Sequence, residues 1–544
     1  MVVPREDNME IAKFKGLNTF TRSDLIDDAE FCGLTNFEFG DQAELKKRTG
    51  LQLVTDFTNV GGWTNGKEIK YLGSFPAPPD NTLQFCTVAG QPYYVQAPAI
   101  GINWTKVAGI PDGTYCVGMT SFNDVWYFLC RNNGGIYKAT PAINPTASAV
   151  AGAPKVEVFV NFKGRLWVVE PNPDIGNALS NTIKFSESYN FEDWQPDNIN
   201  IVDPNMGDVI TNLVPYSDRI IVFKKFSIWN MYLQGNDFPI SATRLLTSTR
   251  GAISTESIVT VNDLIYFIAA DGVWRTDGNA FSELSKPISN AWIGRSIDWA
   301  FDETDWIAYN EGHLKVRLQT GGGGEIPDES GGQLHMQTYS DATLGLRRSY
   351  FFSYSLAADA WSEEIFPIDV IGGLTRPKAG RNQGSPVFMQ GGIDRLFQRQ
   401  QEITYWKDDT HYVTAAPAHM NSVPVVTSFA TKRYNIGNIS RVKRLKYAMV
   451  GLQASRFDSG AGNTVGFSSP GSTPTFWYTV DGIQRESFSF DPFTVTNLGA
   501  FKIPGTGYFR TFQLSMTESD AQFFTIHFLH FIMHLKRQLA ESPR

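Results

Sequence analysis

A five-residue apolar run behind a tight-turn dipeptide recurs along the chain. Asn123-Asp124 is followed by VWYFL, Lys163-Gly164 by RLWVV, Ser217-Asp218 by RIIVF and Asn262-Asp263 by LIYFI, and the second turn residues are spaced by 40, 54 and 45 residues. A second short run ending in an aromatic follows each: Gly135-Ile136-Tyr137, Ile183-Lys184-Phe185, Ser227-Ile228-Trp229 and Gly272-Val273-Trp274. Apolar residues ahead of each turn, as in 156–162 and 258–261, supply a further strand. β-branched and aromatic residues favour strands, and Asn-Asp or Lys-Gly pairs favour the turns that join them. Each unit therefore reads as a meander of three or four strands.

A period of roughly 40–50 residues with this content is the signature of β-propeller blades. Looser copies lie at 83–95, 306–318, 349–361 and 386–397. The expected fold is all-β, a β-propeller of about seven blades, with stacked β-sandwich domains as the competing architecture. The expected division is an N-terminal arm and hairpin over 1–60, the propeller over 61–410 and a C-terminal β-sandwich-like domain over 411–544. In that last unit, the alternation of FRTFQLSM sets Phe509, Thr511, Gln513 and Ser515 on one face and Arg510, Phe512, Leu514 and Met516 on the other. The Gly321–Gly324 run reads as a hairpin tip or insertion.

Composition narrows the function. Hydrophobic residues make up 42% of 544 and charged residues 19%, so a large core is available and disorder is not expected. Aromatics reach 13%. A net charge of -8 opposes tight gripping of nucleic-acid phosphates, although it suits a surface past which DNA slides. The N-terminal stretch MVVPREDNMEIAKFKG lacks the apolar segment of a secretory signal. The longest apolar stretch, 523–535, is interrupted by His527, His530 and His534, and no run approaches the roughly 20 residues of a membrane helix.

Candidate chemistry is sparse. Cys32, Cys86, Cys116 and Cys130 match no zinc spacing; Cys116 and Cys130 are placed to face each other across a hairpin, with free buried thiols the expected state. GGGGE lacks the Lys-Ser/Thr of a phosphate-binding loop. The three C-terminal histidines would share a face only on a helix; on a strand His527 lies opposite His530 and His534, which points to edge or interface positions rather than a metal site. The run Ser188–Trp194 is a poor match to the Asp-box hairpin of sialidases, because Asn190 stands where that motif has Asp and Glu192 where it has Gly. No GxSxG, HExxH or CxxC occurs. The sequence singles out no catalytic, cofactor-binding or metal-ligating residue and implies no cofactor, so the expected protein is not an enzyme.

The order of these motifs resembles a family of tailed-bacteriophage virion proteins, the propeller-bearing nozzle or tail-hub (stabilisation) proteins of short tails. The opening GLNTF…LIDDAEFCGLTNFEFG…LKKRTG is similar to the start those proteins share, with Asp28, Glu30, Asn36, Gly40, Arg48 and Gly50 at the matching positions. The segments 183–195, 207–231, 250–252, 256–278 and 283–292 follow the family's middle, and KRLKYAMVGL…FWYTVDG…GYFRTFQLSM its close. The resemblance implies a structural virion protein of the tail, assembled in the host cytoplasm as a homohexameric ring that surrounds the DNA channel and docks to other tail and adaptor proteins. Host-surface contact falls in its scope, and residues 298–420 match no part of the pattern. On that reading, removing residues 1–50 leaves the propeller folded and blocks assembly. The alternatives are a carbohydrate-binding or depolymerising propeller at a tail tip, and a cellular scaffold propeller that binds peptides.

Overall fold

The computed structural model describes residues 6–56, 69–78, 81–96, 104–172, 178–203, 208–234, 239–289, 306–310, 313–317, 326–327, 333–334, 349–366, 370–375, 388–392, 395–399, 407–413, 419–434, 443–454, 474–489, 499–518 and 524–535. Among them helical structure is confined to the 3-10 turn Lys286–Ile288 and the adjoining Ser289.

Five four-stranded antiparallel sheets follow one another in sequence order. Their innermost strands are Ile69–Ala77, Cys116–Phe122, Val158–Phe162, Ile210–Tyr216 and Ile258–Val261, and we number them blades 1 to 5. Blade 6 comprises Trp306–Asn310, His313–Arg317, Ser349–Ser355 and Ala360–Phe366. Blade 7 comprises Val370–Thr375, Phe388–Gly392 and Arg395–Arg399, and its outermost strand is Leu51–Asp56, brought from the N-terminal region. Blade 7 packs back on blade 1: Val54 and Leu396 share a buried cluster with Ile69 and Val88. The ring is therefore a seven-bladed β-propeller, closed by an N-terminal strand on the last blade.

The repeated five-residue run explains the packing. In a blade covered on both faces, a continuous apolar strand is favoured over strict alternation. Trp126 and Phe128 face blade 1, where Phe85 lies 5.2 Å from the Trp126 ring, while Tyr127 and Leu129 pack with Leu166 and Val168 of blade 3. The same split recurs in blade 4, where Ile220 and Val222 meet blade 3 and Ile221 and Phe223 meet blade 5. Three of the turns feeding these runs have positive φ at both central residues: Asn123 at 47° and Asp124 at 57°, Lys163 at 50° and Gly164 at 71°, Asn262 at 49° and Asp263 at 62°; the fourth has it at Ser217, 51°. That pattern matches the twist of the flanking strands and pins their register.

Three sequence expectations are corrected here. The stretches 306–318 and 349–361, read as separate repeats, are the two halves of blade 6, because residues 318–348 stand between its second and third strands. The first 60 residues are not an arm apart from the rest. Glu6–Ile11 pairs with Phe524–Leu535, Glu30–Thr35 pairs with Thr427–Thr431, and Leu45–Lys47 pairs with Phe524–Leu535. Finally, Phe509 and Phe512 are both buried, although simple alternation sets them on opposite faces. The chain crosses between sheets at residues 510–511, where Asp481 Oδ1 accepts from both backbone N–H groups. The Gly321–Gly324 run lies outside the described residues.

The C-terminal unit is a two-sheet sandwich. One sheet centres on Lys443–Ala454 and Phe524–Leu535. The other continues blade 6: Ala360–Phe366 meets Glu30–Thr35 in a parallel contact, Gly16–Leu17 pairs beside Glu30–Thr35, and the sheet runs on through Thr427–Thr431, Phe512–Glu518, Thr475–Val480 and Ile483–Ser489 to make ten strands. Phe31, Phe429, Phe476, Phe512 and Phe531 fill the space between the sheets and belong to one core with Ile268, Leu314 and Val316 of blades 5 and 6.

Candidate functional site

Two places concentrate polar side chains: one mouth of the propeller's central channel, and the junction where propeller meets sandwich.

The mouth lies at the end of the propeller where the innermost strands begin. A cavity of about 140 Å³ opens there, lined by residues of blades 1 to 4 and by the segment leading into blade 5. Lys70 of blade 1 reaches Glu256, just ahead of blade 5, at 3.0 Å. Arg131 of blade 2 donates to Glu157 of blade 3 at 2.5 Å, and its guanidinium stacks 4.7 Å from the Tyr115 ring centre. Asn212 of blade 4 donates to the Thr255 carbonyl at 2.6 Å. At Gly118 a Cβ would fall 2.2 Å from the Phe159 ring, so the absence of a side chain lets blade 3 approach blade 2 beside the mouth. Because Lys70 and Glu256 join blades on far sides of the ring, the axis is spanned by side chains. A duplex, whose major groove alone is about 12 Å wide, cannot pass through this opening.

The junction is built largely by the N-terminal segment. Asn36, at positive φ (61°), accepts at Oδ1 from Arg48 Nε at 2.9 Å and from the Ile365 N–H at 2.8 Å, and donates from Nδ2 to the Val426 carbonyl at 2.5 Å. One side chain thus joins the N-terminal strands, blade 6 and the sandwich. Arg48 is fully buried, donates to the Ile365 carbonyl at 2.8 Å and lies 4.1 Å from the Phe366 ring centre. Lys47 and Glu518, with side chains 0% and 1% exposed, pair at 2.6 Å. Lys315 of blade 6 holds Glu364 at 2.6 Å and Glu38 at 2.7 Å. Asp28 pairs with Lys432 at 2.8 Å, and its carbonyl accepts from the Tyr434 hydroxyl at 3.0 Å. Burial pushes that phenol well above the usual tyrosine range, with the Asp28 charge adding to it. Gly16, at φ 87°, has no room for a Cβ, which would lie 2.7 Å from the Trp361 carbonyl oxygen of blade 6. Asp28, Glu30, Asn36 and Arg48, singled out in the opening motif, therefore act as ties: Glu30 caps the turn at Asp27 and accepts from Asn18.

Other sequence candidates resolve as structure. Ser188–Trp194 connects the third and fourth strands of blade 3: Asn190 Oδ1 caps the Glu192 N–H, and the Phe191 ring stacks 4.2 Å from Phe122 of blade 2. His527, His530 and His534 lie on a strand, with His527 at a register irregularity between Ile526 and Phe528. Among the described residues no group of three or more His, Cys, Asp or Glu side chains is placed to hold a metal ion, and no helix is long and apolar enough to cross a membrane. Lys70, Arg131, Glu157 and Glu256 carried no motif; Lys70 lies at the start of an inner strand, Glu157 and Glu256 just ahead of one and Arg131 just after a second strand, and only ring closure brings them together.

No family model matches the chain, and no curated protein matches it. Similar solved structures include the AfRom2 CNH domain, at 9% identity and TM-score 0.38 over 65% of this chain and 100% of that one. YCF48 from Cyanidioschyzon merolae matches at 11% identity and TM-score 0.36, over 64% of this chain and 98% of that one. The Neurospora crassa Pan2 WD40 domain matches at 8% identity and TM-score 0.37, over 66% of this chain and 98% of that one.

Proposed function

We propose that this chain is a structural subunit of a bacteriophage tail, a nozzle or adaptor protein that assembles with copies of itself and with neighbouring tail proteins rather than catalysing a reaction. The observation that carries the reading is the ten-stranded sheet, which runs unbroken from blade 6 into the sandwich. Two units joined by a flexible linker rock against each other; two units sharing a sheet and one hydrophobic core move as a single block. The buried pair Lys315–Glu364 sits on that shared sheet, and the buried pair Lys47–Glu518 ties it to the second sheet of the sandwich. Such a block suits a ring, where closed symmetry multiplies each modest interface and a hinge within the subunit would dissipate it.

The tail-protein resemblance supports the reading, because its opening residues are the ones that make the junction. DNA passage on this reading belongs to the space enclosed by a homohexameric ring, since the Lys70–Glu256 pair spans the propeller's own axis. The acidic net charge of -8 suits sliding without specific binding. Assembly takes place in the host cytoplasm, the final location is the virion tail, and host-surface contact falls to loops of the propeller.

Electron-microscopy class averages of the purified full chain, alone and mixed with lysate of phage-infected cells, test this. Six-fold rings or added density at tail tips are expected. A monomer that joins no tail particle, or release of reducing ends from host polysaccharide, would overturn the proposal and favour the carbohydrate reading.

A further inference from the structure

Cys116 begins the inner strand of blade 2, Cys130 ends the next strand, and the two are directly opposite in the antiparallel register. The Arg131 N–H donates to the Tyr115 carbonyl at 2.8 Å, while the Cys116 and Cys130 N–H groups point away, to Gly90 and Gly135. That arrangement makes Cys116 and Cys130 a non-hydrogen-bonded pair, whose Cα atoms stand about 4.5 Å apart. A disulfide requires about 4.4–6.8 Å. Both thiols are free and buried in one cluster, and the Cys116 sulfur contacts the Gly118 carbonyl at 3.2 Å. Cys116 lines the mouth cavity; Cys130 is behind it. Neither other cysteine has this setting: Cys86 lies opposite Tyr71 and Tyr93, and Cys32 contacts the carbonyls of Ala430 and Thr431.

We propose that Cys116 and Cys130 form an oxidisable dithiol that closes to a disulfide within blade 2, beside the channel mouth, with Cys116 the sulfur oxidised first. The proposal stands apart from the tail-protein reading. The cavity of about 140 Å³ admits an oxidant close to a water molecule in size, about 30 Å³, and excludes one the size of a peptide disulfide. Hydrogen peroxide is such an oxidant. The Cys116 thiolate attacks one peroxide oxygen, the O–O bond breaks, and hydroxide leaves to yield the sulfenic acid. Cys130 sulfur then displaces the hydroxyl, forming the S–S bond and releasing water. Two thiols lose two electrons and two protons, and peroxide becomes two waters. The crosslink holds Arg131, next to Cys130, against Glu157 and fixes the rim between blades 2 and 3.

The full chain, treated with hydrogen peroxide, is alkylated with iodoacetamide, digested and analysed by mass spectrometry. The expected product links the Cys116 and Cys130 peptides, about 2 Da lighter than their reduced sum and reversed by dithiothreitol. In Cys130→Ser, dimedone should label Cys116. Absence of the linked peptide at a peroxide dose that oxidises Cys32, or accumulation of Cys116 sulfinic acid in the unmodified sequence, would refute the proposal.

Discussion

Lys47→Ala tests the junction most directly. Lys47 and Glu518 are 471 residues apart in sequence and their side chains are 0% and 1% exposed, with nitrogen and oxygen 2.6 Å apart. Removing the cation leaves the Glu518 carboxylate buried, with the Thr427 hydroxyl at 3.3 Å still in reach. A buried charge stripped of its counter-ion costs about 3–5 kcal/mol. Unfolding entropy of about 2.1 cal/mol/K per residue, over the 544 residues, amounts to about 1.1 kcal/mol/K. The cooperative transition should therefore move down by about 3–4 °C in scanning calorimetry. The double variant Lys47→Met/Glu518→Leu should recover that loss, because well-packed apolar replacements of a buried pair are neutral or stabilising by about 1–4 kcal/mol. A Lys47→Ala transition within about 1 °C of the parent, or a double variant less stable than the single one, would show that the junction does not depend on this pair.

Gly16→Ala forces a Cβ against the Trp361 backbone at φ 87° and should lower stability by about 1–3 kcal/mol, read from the urea midpoint. No shift there would mean that the first segment does not dock on blade 6 as described. Alkaline pH should also unfold the protein: burial, with Glu192 adding, pushes Tyr127 from 10.0 up to about 12, and burial also raises Tyr354, Tyr434 and Tyr478. The raised Tyr127 value favours the fold fully below pH 10 and is lost as pH climbs from 10 to about 12, and the loss from the other three, which are raised further, continues beyond that. Tyrosinate absorbance should rise together with loss of circular dichroism, and ionisation of all tyrosines in a still-folded chain would contradict the burial.

The N-terminal expectation changes with the structure. Phe14, Phe31, Leu34 and Phe37 belong to the largest core, so removal of residues 1–50 strips strands from the sandwich as well as any docking surface. Assembly defects of such a truncation would then reflect misfolding, and substitutions at exposed sites such as Leu25 separate the two effects better.

Much of the propeller was legible because its information is local. Turn pairs such as Asn123-Asp124 and Asn262-Asp263 adopt positive φ within a few residues of the strands they join, and VWYFL and LIYFI are apolar on both faces because both faces are covered. Period and strand order followed from these runs alone. Tertiary structure decided what depends on partners far apart in the chain. Leu51–Asp56 carries no mark that it completes the blade of Arg395–Arg399, since alternation specifies a face and not a neighbour. The same holds for Glu6–Ile11 beside Phe524–Leu535, and for the sheet that leaves blade 6 and becomes the sandwich. Lys47, Arg48 and Glu518 read as ordinary surface charges until folding removes water from around them, and Lys70 meets Glu256 only because seven wedge-shaped blades close a ring. Local chemistry set the repeating unit, and the closing of non-local sheet edges, which no short segment encodes, set the junction and the channel mouth.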